Sequence, residues 1–234
     1  HRDDCSLVIE HGQIFISGYK NNTIDIVRKL KELASSGVKN YASSVTAWLG
    51  STNQGIDCAE KAEALKQMFE FSKVALIYGA AGTGKTTLIN HVAHFFADRD
   101  KIFLAQTNPA VDNLKRRVTA TNSDFMTITK FLGKRTRITN CDVLVIDECS
   151  TVNNRDMIHV LQKAQYKLLL LVGDSHQIAS IRFGNWFGVA RYFVPQTSVF
   201  ELEEPFRSTD KGLLTLWSRV REMDETILEL ITKQ

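Results

Sequence analysis

The sequence has few of the residues that interrupt or cross-link a chain. Its 234 residues include 13 glycines, 3 prolines and 4 cysteines, and no two cysteines form a C-x-x-C pair. With 44% hydrophobic and 24% charged residues, this composition excludes a disordered chain and a fibrous repeat. Because the cysteines are few and scattered, we interpret them as reduced thiols of a cytoplasmic protein.

The sequence also lacks a hydrophobic run long enough to cross a membrane. No apolar stretch approaches the roughly 18 residues of a membrane span, and no signal peptide opens the chain, so we expect no membrane partner. The formal net charge is only +3. This permits a polyanionic partner without requiring one, because a local basic face matters more than the total charge. The first residue is His1 rather than methionine, which suggests an excised or processed fragment.

From about Lys73 onward, short apolar runs alternate with helical stretches. The runs, numbered 1 to 5 in chain order, are VALIY, IFLAQ, VLVID, LLLLVGD and SVFEL. Fully apolar strands separated by helices predict an α/β domain with a mainly parallel sheet covered on both faces. Ligands of such sheets bind at the carboxyl ends of the strands, and the polar clusters of this sequence fall at those ends.

The residues before this alternation predict a small N-terminal α+β appendage over residues 1–72. The apolar runs Leu7–Ile9 and Gln13–Ile16 flank the sequence EHG and predict a β-hairpin. Thr23 is placed to cap the helix that follows. A second helix is expected over about Ala59–Phe71.

The stretch GAAGTGKTT matches the phosphate-binding pattern G-x-x-x-x-G-K-[ST]. An apolar strand precedes it and an amphipathic helix follows it, which is the context that the pattern requires. Its glycines let backbone amides curl around phosphate oxygens at a helix N-terminus. Lys85 is expected to reach the β and γ phosphates of ATP, and Thr86 to place its hydroxyl on Mg²⁺. The residues predicted to bind the nucleotide are Gly79, Ala80, Ala81, Gly82, Thr83, Gly84, Lys85, Thr86 and Thr87.

Two further polar clusters follow runs 3 and 4. In DVLVIDECS, Asp147 is predicted to hold Mg²⁺ and Glu148 to accept a proton from the attacking water. In LLLLVGDSHQ, Gln177 is predicted to hydrogen-bond the γ-phosphate or that water. Taken alone, each cluster is explained as well by solvated side chains at a strand end. Together with the phosphate loop they predict hydrolysis of ATP rather than simple binding.

With these motifs in this order, the chain resembles the first motor domain of a superfamily 1 helicase. In family order the motifs are GAAGTGKTT (I), AQTNPAVDNL (Ia), TITKFL (Ib), VLVIDECS (II), LLLLVGDSHQ (III) and ELEEPFRS (IV). TNPAVDNL, and GDxxQ followed by FGNWF, are closer to the RecD-like and Upf-like branch, which translocates 5′ to 3′, than to the UvrD-like branch. The resemblance implies a RecA-like P-loop NTPase domain over residues 73–208 with the strand order 5-1-4-3-2.

The resemblance also implies roles for residues outside the phosphate loop. Thr107, Asn108, Thr127 and Lys130 would grip the backbone of single-stranded nucleic acid, with DNA favoured over RNA. Thr107 and Asn108 also fit the N-cap of the helix that follows, and the two roles are compatible. Arg207 would reach the γ-phosphate as an arginine finger and act with Lys85 in catalysis.

Residues 209–234 are expected to form a helix that begins a second motor domain. That domain would carry motifs V and VI and needs on the order of 100 residues, so we expect it to lie outside this sequence. Because half of the hydrolysis site would then be missing, the fragment alone is expected to be weakly active or inactive.

Two alternatives remain open at this stage. Phe183, Trp186 and Phe187 can stack on bases, but aromatic residues at this spacing more often belong to a core. The alternative function is a regulatory P-loop ATPase switch that acts on protein partners. Thr107 and Asn108 favour the motor, because a switch has no need of them.

Overall fold

The computed structural model describes residues 6–51, 56, 58–133, 139–174 and 184–203. In chain order the described strands are β1 (Leu7–Glu10), β2 (Gln13–Ile16), β3 (Val74–Gly79), β4 (Lys101–Ala105), β5 (Ser123–Thr127), β6 (Thr139–Asn140), β7 (Val143–Ile146), β8 (Ala164–Gln165), β9 (Leu168–Gly173) and β10 (Val199–Leu202). The described helices are α1 (Ser17–Leu33), α2 (Tyr41–Ser51), α3 (Ala59–Gln67), α4 (Lys85–Phe95), α5 (Asn108–Arg117), α6 (Ile128–Gly133), α7 (Asn154–Lys163) and α8 (Trp186–Ala190).

Within the described residues, the central sheet has six strands in the order β10-β3-β9-β7-β4-β5, and all neighbours in it are parallel. Runs 1 to 5 form β3, β4, β7, β9 and β10, so the predicted order 5-1-4-3-2 is confirmed. β5 adds a sixth strand at the edge beside β4. β5 is not a continuous apolar run, because its other residues are exposed or half-buried and only Met126 is buried.

The strands are fully apolar because helices cover both faces of the sheet. Successive side chains of a strand point to opposite faces. Leu76 of β3 therefore packs in one core, with α1, α7 and α8. Its neighbour Ile77 packs in the other core, with α2, α3, α4 and α5. This arrangement places the loops that follow the strands along one edge of the sheet, where ligands of α/β folds bind.

The N-terminal segment forms the predicted hairpin and then enters a helix earlier than expected. β1 and β2 pair antiparallel, with Leu7 opposite Ile16. α1 begins directly at Ser17, so the prediction that Thr23 caps a helix is wrong. The Thr23 hydroxyl lies inside α1, where it donates to the Tyr19 carbonyl at 2.9 Å and accepts from Asn154 Nδ2 at 2.5 Å.

The second predicted helix ends earlier than its sequence pattern indicates. α3 stops at Gln67, and the chain then turns, with the Glu70 amide donating to the Gln67 carbonyl at 3.1 Å. The Phe69 carbonyl accepts a hydrogen bond from the amide of Val38 at 2.8 Å. The apolar periodicity of this segment does not predict such a tertiary contact. Helix α1 packs in one core of the sheet and α3 in the other. The domain boundary expected at residue 72 stays a prediction.

Among the described helices, none has both the length and the apolar character needed to span a bilayer.

Candidate nucleotide-binding site

The phosphate loop lies between the buried strand β3 and helix α4. Gly82 has φ 95° and Gly84 has φ 82°, the left-handed region that side chains disfavour. Gly84 is also the residue that precedes the first turn of α4. The first amides of a helix have no partner within the helix, so the loop and the helix together present donors for an anion.

Lys85 lies across this loop. Its Nζ donates to the carbonyls of Gly79 and Ala80, at 2.7 and 2.8 Å. These two bonds hold the ammonium group at the end of β3, next to the turn that the glycines form. The positive charge is therefore in place before any phosphate binds.

The acidic pair follows β7, two strands away from β3 in the sheet. Asp147 is 7% exposed, and its Oδ1 accepts a hydrogen bond from the amide of Glu148 at 2.9 Å. Glu148 has φ 55°, a left-handed conformation that costs a non-glycine residue about 1–3 kcal/mol. The chain therefore turns sharply after Asp147, and both residues line the same cavity.

Burial raises the pKa of both carboxyl groups. The pKa of Asp147 rises to about 6, chiefly through desolvation, which the amide of Glu148 and the charge of Lys85 offset only in part. Desolvation also raises the pKa of the half-buried Glu148, again opposed by Lys85. A buried carboxylate that keeps its charge is stabilised by a nearby cation, so this arrangement favours a metal ion or another positive group at Asp147.

The loop, the lysine and the acidic pair line one open cavity of about 340 Å³. This volume falls in the range of sites for small molecules and cofactors. The residues that line the cavity are Ala81, Gly82, Gly84, Lys85, Thr86, Thr87, Asn113, Arg117, Asp147, Glu148, Gly173 and Asp174. Most of the predicted nucleotide and metal residues are therefore brought together at one place.

Two residues that line the cavity, Asn113 and Arg117, were not predicted as site residues. Both belong to α5, four positions apart and so on one face of the helix. That spacing was visible in the sequence. The missing information was that α5 packs beside α4, which depends on the sheet order and not on any local pattern.

Some of the predicted residues lie outside the described part of the chain, and two others lie in the core. Gln177, Arg207 and Phe183 lie outside the described residues, as do residues 209–234. Trp186 and Phe187 are 0% and 2% exposed, and the Trp186 Nε1 donates to the Val152 carbonyl at 2.7 Å. These two aromatic residues belong to the core, as the commoner interpretation of their spacing predicts.

The four predicted nucleic-acid contacts follow two neighbouring strands. Thr107 and Asn108 follow β4, while Thr127 ends β5 and Lys130 lies in the next helix; Ala105 pairs with Thr127 across the two strands. The Thr107 and Thr127 hydroxyls accept from backbone amides at 3.3 and 3.2 Å. Thr107 therefore caps α5, as one interpretation of the sequence predicts, while contact with nucleic acid stays a prediction.

A parallel α/β sheet with a phosphate loop after one central strand and an acidic pair after another defines a P-loop NTPase domain of the RecA-like type. A family model described as an AAA domain matches residues 58–234, and the chain belongs to this family. No curated protein matches the sequence at a significant level.

Solved structures of Pif1 helicases share the fold. One, of two coordinating Pif1 helicases in DNA unwinding at forked dsDNA, has a TM-score of 0.57 at 16% identity over 77% of this chain and 52% of that one. Bacteroides Pif1 bound to ssDNA gives 0.53 at 18% identity, over 77% and 50%. Bacteroides sp Pif1 in complex with ADP-AlF4 gives 0.51 at 15% identity, over 77% and 50%.

The chain spans about half the length of these solved structures. The predicted fold class is thereby confirmed, and the fold that the chain shares with Pif1 helicases is the one that the resemblance to superfamily 1 helicases implies. The narrower assignment to the RecD-like and Upf-like branch stays a prediction.

Proposed function

We propose that this chain is the ATP-binding motor domain of a superfamily 1 DNA or RNA helicase or single-strand translocase. The observation that carries the proposal is the single cavity shared by Lys85, Thr86, Asp147 and Glu148. The solved structures with this fold include Pif1 bound to ssDNA and Pif1 in complex with ADP-AlF4, and these support a nucleotide and a nucleic acid as ligands.

The proposal extends to the setting of the domain. The motor domain spans residues 73–208. The protein is cytoplasmic, its partner is single-stranded nucleic acid, with DNA favoured over RNA, and it moves 5′ to 3′.

Mg²⁺ fits the donor set of the cavity. The Thr86 hydroxyl and the Asp147 carboxylate supply hard oxygen ligands of the kind that Mg²⁺ takes, and both line the cavity. Bound there, the ion would neutralise charge on the phosphate oxygens. The buried carboxylate of Asp147 supports this assignment, because a cation next to it compensates for its desolvation.

Hydrolysis requires a base, a set of cationic and donor groups, and an in-line water. Glu148 accepts a proton from water, whose oxygen forms a bond to the γ-phosphorus while the bond to the oxygen that bridges to the β-phosphorus breaks. Lys85 and the loop amides stabilise the charge on the phosphates. The resemblance to superfamily 1 helicases implies that Gln177 orients the water and that Arg207 adds a second positive charge.

Movement along a nucleic-acid strand requires that the nucleotide site and the nucleic-acid contacts lie in the same domain. Thr107, Asn108, Thr127 and Lys130 follow β4 and β5, and β4 is the direct neighbour of β7, which carries the acidic pair. Both sets of residues therefore lie along the same edge of the sheet. A change at the γ-phosphate is then passed from β7 to the neighbouring strand β4, and so to the residues that contact the nucleic acid.

The test is ATP turnover by the full-length protein with and without single-stranded oligonucleotide. We expect the oligonucleotide to raise turnover, and Glu148→Gln to abolish turnover while ATP still binds. If oligonucleotide has no effect on turnover but a protein partner raises it, the domain is a regulatory ATPase switch and the motor proposal is wrong. If Glu148→Gln hydrolyses ATP as fast as the parent, Glu148 is not the base.

A further inference from the structure

Helix α5 contributes two polar side chains to the nucleotide cavity that the mechanism above leaves unused. Asn113 and Arg117 line the cavity together with Thr86, Thr87 and Glu148. The Arg117 Nε donates to Asn113 Oδ1 at 3.2 Å. This bond holds the base of the guanidinium group against α5 and leaves its two Nη groups for another acceptor.

Within the described part of the chain, Arg117 forms no ion pair with a carboxylate, although it is exposed and basic. Its neighbour Arg116 differs in both position and contact. The Arg116 Nε donates to the Asp112 carbonyl at 3.3 Å, and Arg116 does not line the cavity. The two adjacent arginines therefore have separate surroundings.

The described residues that line the cavity include more acidic than basic side chains. Among the described residues that line it, three are acidic (Asp147, Glu148 and Asp174) and two are basic (Lys85 and Arg117). A nucleoside triphosphate with one Mg²⁺ adds about two negative charges. Lys85 and Arg117 each offset one of these negative charges, and the planar guanidinium group of Arg117 can also bind a phosphate through two parallel hydrogen bonds.

The sheet order shows on which side of the cavity α5 lies. α5 follows β4, and β4 lies next to β7, the strand that carries Asp147 and Glu148. α5 therefore approaches the cavity from the side of the acidic pair. That pair acts at the γ-phosphate in the proposed mechanism, and Arg117 lines the same cavity as the pair.

We propose that Arg117, oriented by Asn113, binds the terminal phosphate of the nucleotide and makes the site selective for a triphosphate over a diphosphate. The inference rests on the proposed function, since it needs a nucleotide in this cavity. Arg117 is the specificity-determining residue, and Asn113 is a positioning residue that acts through it.

The experiment measures dissociation constants of the full chain for Mg²⁺–ATPγS and Mg²⁺–ADP by calorimetry. We expect Arg117→Ala to weaken ATPγS binding about tenfold, the size of one charge-assisted hydrogen bond, and to change ADP binding less than twofold. Arg116→Ala is the matched control and should change neither constant. Arg117→Lys keeps the charge but not the planar fork, so its ATPγS to ADP ratio should fall between those of the parent and Arg117→Ala.

Asn113→Ala gives a second line of evidence if Arg117→Ala fails to fold. It should shift the ATPγS to ADP ratio in the same direction and by a smaller factor. In the double variant with Arg117→Ala, Asn113→Ala should add nothing. A purely structural role would change both constants equally.

The failure of this inference is distinguishable from that of the proposed function. If Lys85→Ala leaves ATPγS and ADP binding unchanged, the proposed function fails. Suppose instead that Lys85→Ala abolishes binding, but the ratio of the ATPγS to the ADP dissociation constant is the same in Arg117→Ala and Arg116→Ala. Only the present inference is then wrong. It is equally overturned if Arg117→Ala weakens binding of single-stranded oligonucleotide and leaves the nucleotide ratio unchanged, because Arg117 is then a nucleic-acid contact.

Discussion

Replacing Asp147 with asparagine measures what it costs to bury a charged carboxylate beside the phosphate loop. Burial raises the pKa of Asp147 from 3.8 to about 6. Between these values the folded state binds more protons than the unfolded state, so this group makes the protein less stable as the pH rises. One pKa unit corresponds to about 1.4 kcal/mol, so the loss over the whole window is about 3 kcal/mol.

Asparagine has nearly the same shape and no charge to desolvate. Its Oδ1 can still accept the 2.9 Å hydrogen bond from the Glu148 amide. In nucleotide-free protein with a chelator present, we expect the stability advantage of Asp147→Asn over the parent to be about 2 kcal/mol larger at pH 7 than at pH 4. Urea unfolding of both proteins at each pH gives this difference.

Asp124→Asn serves as the control, because it removes an exposed carboxylate on β5. Its stability difference from the parent should stay nearly constant between the two pH values. The reasoning is refuted if Asp147→Asn also gives a constant difference, since the carboxyl would then be as well solvated in the folded as in the unfolded state. Added Mg²⁺ should stabilise the parent more than Asp147→Asn, because binding to the folded state raises its stability.

Three further substitutions separate structural from functional roles. Trp186→Ala empties a fully buried site and should destabilise the protein by about 3–5 kcal/mol, lowering the melting temperature by roughly 10 °C in a thermal scan; an unchanged melting temperature would contradict a core role. Thr107→Ala removes the cap of α5 and should cost about 1 kcal/mol in urea unfolding. Asn108→Ala changes an exposed residue and should alter stability by less than about 0.5 kcal/mol, while lowering the stimulation of ATP turnover by single-stranded oligonucleotide. Equal stimulation in Asn108→Ala and the parent would remove Asn108 from the strand contacts.

The core of the sheet could be predicted because its strands are buried on both faces. Runs such as LLLLVG in β9 are then apolar without interruption, and they stand out from the helical stretches. Their spatial order came from the family resemblance and not from the runs themselves. β5 could not be found in this way, because an edge strand with Asp124 exposed and Met126 buried has no continuous apolar run.

The residues of the phosphate loop were predictable because their chemistry is local. Gly82, Gly84 and Lys85 act within one turn of chain, so their spacing alone identifies them. Arg117 lies about thirty positions further along the chain and reaches the cavity only through the packing of α5 beside α4. Thr23 was assigned to a cap because its residue type suits one, but the chain passes from β2 into α1 without a cap at that position.

The central claim is that this cavity binds Mg²⁺–ATP through the loop amides and Lys85. Its most direct test is calorimetric titration of Mg²⁺–ATP into the full chain and into Lys85→Ala. The account predicts saturable binding to the parent with a stoichiometry of about one, and loss of that binding in the variant. Absence of heat with the folded parent, or equal binding by Lys85→Ala, would contradict it.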